Sequence, residues 1–294
     1  MPKTRKRRWR IAAIAAASAL VLGIGGLVFS RHAKPFLIGE GCRVRVFGQA
    51  IELDAEQAAV AATIAGVSYR RGMPKAAVTV AYATALQESK MHNVRYGDRD
   101  SVGIFQQRPS EGWGTRRDLM DPVYATSKFF AALGKVPGYM NMPVYRAAQA
   151  VQHSADGTAY GQYEQVAGLM STAFTGHAAR AVWCWYMPYT KRPAKLASAG
   201  DQLKRTFGHL AEAGSAFQPS GELAGADDGT GGIAMTVHVP ATETGWAIAT
   251  WSVAHAKIYG IRRIRYAGYQ WRATDGEHGW RRDAGAPSGR VEVG

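Results

Sequence analysis

Glu88 and Ser89 stand where a run of small and apolar residues gives way to a polar, glycine-bearing stretch. The run reads ALQESKMHNVRYGDRDSVGIFQQR over residues 85–108. On a helix, the N-terminal neighbours of Glu88 are Thr84, Ala85 and Ala81. Burial disfavours a carboxylate anion, and so does the partial negative charge at a helix C terminus. A carboxyl kept protonated near neutrality is what a glycosidase uses to pass a proton to a leaving oxygen. A solvated helix end has the same composition, so the residues alone leave both readings open. Other chemistries find less support. His92, His153 and His177 lack metal-ligand spacing. There is no phosphate-cradling Gly-Lys-Ser loop and no Gly-x-Gly-x-x-Gly. No Ser or Cys nucleophile motif occurs, and Cys184 between two tryptophans reads as structural. No cofactor is expected.

The elements that must hold Glu88 are helical. Asp54 and Gln57 form a capping box, and Gly72 with Pro74 ends the helix they open. Pro74 opens a second helix with Val78, Tyr82, Ala85 and Ser89 along one side. Asp121-Pro122 opens a third, ending at Gly134, with Val123, Thr126, Phe130 and Leu133 on its buried face. Pro143 opens a fourth, with Ala147, Ala148 and Val151. A fifth is expected from about Ala159, carrying Tyr163, Val166 and Met170, and Asp201 is expected to cap a last one. Residues 91–120 form a loop long enough to be functional. Residues 214–235, rich in Gly, Ser, Ala and Asp, read as a flexible linker. Beyond it, Ala247, Trp251, Ala254 and Ile258 keep helical spacing. Ile264 and Tyr266 alternate with Tyr269 and Trp271 around Ala267-Gly268 as a hairpin, and Val291 and Val293 suit a closing strand.

The chain has 294 residues, 47% of them hydrophobic, which excludes global disorder. Its two cysteines exclude a disulfide-dense scaffold and a multi-cysteine metal site. The net charge is +14, and six of the positive charges lie between Lys3 and Arg10. Residues 11–29 then carry no charge and are long enough to cross a bilayer. The basic tail, residues 1–10, is expected to stay cytoplasmic, with everything after the span outside. Arg31 stands where a signal cleavage site after Ala33 needs a small residue, which favours an uncleaved anchor over a secreted product. Without the six leading charges the remainder still carries +8, suited to an anionic envelope or simply to solubility. Outside the cytoplasm Cys42 and Cys184 can oxidise to each other. Closing a loop of that length stabilises by about 4–5 kcal/mol on the chain-entropy model.

The pair Glu88-Ser89, followed by a polar loop and Gly103-Ile104-Phe105-Gln106, resembles the signature of the lytic transglycosylase and goose-type lysozyme superfamily. Gly97-Asp98-Arg99 is similar to a loop of goose-type lysozymes. The span from Cys42 to Cys184 further resembles a group of exported actinobacterial proteins sharing GDRDSVGIFQQRPSEGWGT and AAQAVQHSA segments. The resemblance implies a lysozyme-like, mainly α domain over residues 40–213 that cleaves the β-1,4 bond between N-acetylmuramic acid and N-acetylglucosamine. In the transglycosylase route Glu88 protonates the bridging oxygen, then deprotonates the muramoyl C6 hydroxyl to close a 1,6-anhydro ring. In the hydrolase route a second carboxylate activates or positions water, with Asp98 the candidate and Asp100 the reserve. Both also fit an ordinary turn. Ser89, Gly103, Gln106, Gln107 and Gln152 are expected around the glycan, and Trp113 is expected to stack on a sugar face.

One departure from that pattern matters. Many members carry Ala-x-Tyr-Asn-Ala-Gly on a later helix, whose tyrosine orients the catalytic Glu. Here the corresponding stretch is Ala147-Ala148-Gln149-Ala150-Val151-Gln152. Gln149, Gln152, Tyr145 and Tyr160 are the candidates to replace the tyrosine. A non-catalytic envelope scaffold or glycan-binding module is the reading that this departure supports. Residues 236–294 read as a small α+β accessory domain in which basic residues alternate with tryptophans and tyrosines. That mixture suits an anionic glycan or single-stranded nucleic acid, and an exported location favours glycan. The aromatics serve equally as the core of a small domain. The expected molecule is a membrane-anchored extracytoplasmic glycosidase that acts on peptidoglycan strands, with no nucleic-acid partner.

Overall fold

A computed structural model describes residues 39–153, 158–187, 194–208 and 235–294. The basic tail and the apolar segment 11–29 lie outside the described residues, as does nearly all of the segment read as a linker. Among the described residues no helix is long and apolar enough to cross a membrane. The described residues within 41–185 and 194–294 make one compact unit. About half of the described residues are helical, and there are two small antiparallel sheets.

The chain enters through a hairpin, β1 (Gly41–Val46) and β2 (Gln49–Leu53), turned at Phe47-Gly48. Helix α1 (Ala55–Arg70) follows directly. The Asp54 side chain accepts from the Gln57 N–H, and the Gln57 side chain accepts from the Asp54 N–H, so the expected capping box is present. Pro74 caps α2 (Lys75–Ser89). These two helices are buried almost all round, α1 from Ala58 to Ser68. Their small residues, alanine above all, let other helices approach every side. A four-residue helix, α3 (Arg116–Leu119), precedes α4 (Pro122–Leu133), α5 (Val144–Gln152) and α6 (Glu164–Phe174). Helices α4, α5 and α6 pack on α2, while α4, α6 and α7 (Leu196–Phe207) pack on α1. The expected buried faces of α4 and α5 are the observed ones.

Two helix expectations need correction. The fifth begins as a 3-10 turn, Thr158–Tyr163, and α6 then buries Ala167, Met170 and Phe174 rather than Tyr163 and Val166. The change from 3-10 to α winding rotates the register between the two pieces. Asp201 does not cap α7, which begins five residues earlier at Leu196 and runs through it.

Strand β3 (Val182–Trp185) pairs antiparallel with β1, bringing Cys184 opposite Cys42, and the two form a disulfide. The C-terminal part contributes β4 (Met235–His238), α8 (Thr242–Ala254), the short α9 (Ala256–Tyr259), β5 (Arg263–Tyr266), β6 (Tyr269–Arg272), β7 (Arg281–Arg282) and β8 (Arg290–Val293). Its sheet order is β4-β8-β5-β6-β7. The β5–β6 hairpin turns at Ala267-Gly268, both left-handed, as a two-residue hairpin turn requires. This part shares its core with the helices before it. Helix α8 lies against α1 and β3. The Trp271 and Trp280 indoles donate to the Cys184 and Val182 carbonyls at 3.0 and 2.8 Å. Trp246, Trp251, Tyr266 and Trp271 are buried, so most of the aromatics here form core and not an exposed stacking surface.

His255, buried at the α1–α8 contact, is stacked on Trp251 with ring centroids 4.1 Å apart. Burial pushes its imidazole down from 6.5 to about 4, against the opposing hydrogen bond to the Trp251 carbonyl. As pH falls, the unfolded chain takes up this proton first. Stability is therefore unaffected above pH 6.5 and declines between 6.5 and about 4, by up to about 3 kcal/mol. Urea midpoints measured at pH 7 and pH 4.5 should show the fall in the native protein and a smaller fall in His255→Phe.

Candidate active site

Glu88 occupies the last turn of α2, half-buried, and the hydroxyl of Tyr160 donates to its Oε1 at 2.6 Å. Tyr160 is buried in the 3-10 turn that precedes α6. This turn is tied to the end of α2 at three places. Gln162 Nε2 donates to Gln87 Oε1 at 3.3 Å, Tyr160 to Glu88, and Lys90 Nζ to the Tyr163 hydroxyl. Tyr160, one of the four residues singled out in the sequence for a place beside Glu88, is thus bonded to it. Tyr145 instead accepts from Arg146 Nε at 3.3 Å. Gln152 Nε2 donates to the Phe105 carbonyl at 2.7 Å, so it braces the turn opposite Glu88.

That turn is built from the Gly-Ile-Phe-Gln run, and each position has a physical role. Ser89 Oγ donates to the Ile104 carbonyl at 2.9 Å, which joins the helix end to the turn. Ile104 and Phe105 are fully buried, and Phe105 stacks on Phe129 of α4 with centroids 4.4 Å apart. Gln106 folds back, its Nε2 donating to the Gly103 carbonyl at 3.1 Å and its Oε1 accepting from Ser101 Oγ at 3.1 Å. Gly103 has φ +78°, and a Cβ there would lie 2.5 Å from the Leu119 carbonyl oxygen. Gly103→Ala combines a left-handed alanine with a clash against backbone. It should cost at least about 1 kcal/mol, seen as a lower thermal midpoint and a loosened turn.

The remaining expected site residues divide clearly. Gln107 is buried, and neither end of its amide has a partner among the described residues. Trp113 is half-buried, its loop held by the Tyr124 hydroxyl donating to the Trp113 carbonyl at 3.3 Å. The Asp98 side chain is 94% exposed, with the adjacent Arg99 at 3.9 Å. Asp100 is a loop organiser. The Ser110 N–H and the Arg108 guanidinium, both at 2.8 Å, hold its carboxyl down to about 2. Cys42 and Cys184 lie in the sheet, away from this chemistry in role. His92 is bonded to Asp54 at the start of α1, at 2.8 Å.

Lys90, Met91, Arg99 and Gln106 all adopt left-handed φ although none is glycine. Such positions cost free energy and gather where surrounding structure fixes an exact shape, and here they bracket Glu88. The arrangement offers one half-buried carboxyl with a fixed hydrogen-bond donor on one oxygen. It can serve proton transfer without a paired second carboxylate. The signal for Tyr160 in the sequence was weak, because the bond spans 72 residues and a 3-10 turn has no periodic pattern. Compared with known proteins, the chain matches no family model and no curated protein.

Proposed function

We propose that the protein is a lysozyme-like glycosidase that cleaves peptidoglycan by the lytic transglycosylase route, with Glu88 as both acid and base. The observation that carries this reading is the 2.6 Å bond from Tyr160 to Glu88 Oε1. It supplies, from a different element, the tyrosine that the sequence lacks at the usual place. In the proposed reaction Glu88 donates its proton to the glycosidic oxygen as the bond breaks. The substrate's acetamido group stabilises the cationic sugar, and Glu88 then removes the C6 hydroxyl proton. Tyr160 is a positioning residue that keeps Oε1 occupied and leaves Oε2 for the substrate. The high exposure of Asp98 and the engagement of Asp100 by Arg108 and Ser110 favour this route over the hydrolase route. The extracytoplasmic, membrane-anchored location belongs to the same proposal, because peptidoglycan lies outside the membrane.

Digestion of purified peptidoglycan by the full chain tests it, with products read by mass spectrometry. Anhydro-muramoyl ends are expected. Reducing ends would assign hydrolysis, and intact glycan from oxidised, folded protein would assign a binding module. Tyr160→Phe should lower kcat about tenfold to a hundredfold with little change in KM, because it frees the carboxyl without touching the substrate. A KM effect alone would place Tyr160 in the binding groove instead.

A further inference from the structure

A cavity of about 380 Å³ lies away from Glu88, between the first turns of α1 and the α8–α9 junction. Its walls are mixed, with Val60 and Ile258 apolar, and Thr63 and His255 polar. The hydrogen bonds around His255 set what the cavity lacks. Nδ1 faces the Trp251 carbonyl at 2.9 Å, and a carbonyl only accepts, so Nδ1 carries the proton. The ring is neutral, so Nε2 has a lone pair and no hydrogen. Thr63 Oγ1 lies 3.5 Å from Nε2, at the outer limit of a hydrogen bond, and the Thr63 hydroxyl has a shorter acceptor in the Ala59 carbonyl at 2.9 Å. Nε2 is therefore served by one long contact, to a hydroxyl with a better partner. An imidazole that is 95% buried thus keeps an acceptor served, among the described residues, by that 3.5 Å contact, which a better-placed donor can displace.

The rest of the lining limits what can fill it. Glu56 and Lys257 bring one charge of each sign to the wall, so the site has no net charge to attract an ion. The Glu56 carboxylate is also engaged by the Asn93 N–H at 2.9 Å. The volume lies within the range of small-molecule sites and suits a ring-sized apolar body.

We infer that this cavity is a binding site for a small uncharged molecule with an apolar body and one hydroxyl or N–H, which donates to His255 Nε2. A site built around a buried acceptor discriminates strongly against an isostere that lacks the donor. Binding here is separate from the reaction at Glu88 and stands or falls without it.

Phenol and toluene form the test pair, since they share a ring and differ in the hydroxyl. The full chain, labelled with ¹⁵N-histidine, is titrated with each at matched free concentration, and the His255 signal is identified by its loss in His255→Phe. Phenol should move the His255 Nε2 resonance upfield by several parts per million, saturably, with an affinity at least tenfold above that of toluene. His255→Phe, if folded, should bind the two equally. The inference is overturned if phenol leaves Nε2 unchanged, or if toluene binds as well as phenol. It is also overturned if Nε2 already resonates as a hydrogen-bonded nitrogen that phenol cannot shift, since a resident water would then fill the acceptor. If His255→Phe fails to fold, the signal is identified by its loss in His255→Asn, and the native-protein shifts then decide the matter.

Discussion

Glu88→Gln is expected to reduce peptidoglycan cleavage by about 10²–10⁴-fold, the usual contribution of a positioned proton donor. Glutamine keeps the size of the side chain, and its amide oxygen can still accept the Tyr160 hydroxyl that reaches Glu88 at 2.6 Å. Half-buried and with no other change around it, the substitution should alter stability by no more than about 0.5 kcal/mol. The measurement is the initial rate of muropeptide release from purified sacculi, with the thermal midpoint taken in the same buffer. A variant that is folded and silent supports the carboxyl as the proton carrier. A variant that cleaves at the native rate removes Glu88 from the chemistry, whatever products appear. Retention of glycan binding by the silent variant would further separate recognition from catalysis.

Replacing both Cys42 and Cys184 by serine should cost about 4–5 kcal/mol, the second large effect. The bond joins residues 142 positions apart, and the loop it closes contains every helix of the candidate site. Removing it enlarges the unfolded ensemble without deleting a core side chain of any size. The double serine variant should therefore unfold at a much lower urea concentration, with a somewhat steeper slope because its unfolded chain is less compact. Added thiol reductant should bring the native protein down to the variant's midpoint and leave the variant where it was. A midpoint that ignores both the mutation and the reductant would mean that the β1–β3 pairing holds the strands together unaided.

The parts of the fold that were legible in the sequence have local causes. Asp54 and Gln57 announce α1 because a capping box is completed within four residues. Asp121-Pro122 announces α4 in the same way, and the Ala267-Gly268 turn fixes the β5–β6 register. The Gly-Ile-Phe-Gln run marked a turn that is joined to the end of α2, and its side chains mostly hold that turn in place. The parts that stayed hidden depend on distant partners. Strands β1 and β3 find each other across the whole helical region, and four to six residues carry too little pattern to reveal them. Tyr160 reaches Glu88 from 72 residues away. The start of α7 has no side-chain cap, which left Asp201 as the only visible but mistaken marker. The C-terminal tryptophans read alike in sequence, and only packing separates Trp251, wholly interior, from Trp280, which bonds to β3.

The two indole bonds to β3 have a consequence for self-association. In the order β2-β1-β3, β3 is an edge strand, and a bare edge is a template on which another chain can add. Trp271 and Trp280 occupy the Cys184 and Val182 carbonyls from the side that an added strand would use. The C-terminal part thus works as a guard against stacking of one molecule on the next. A fragment that stops before residue 235 would display that edge beside the exposed faces of α1, and soluble expression of the helical part alone should be limited by oligomers that grow with concentration.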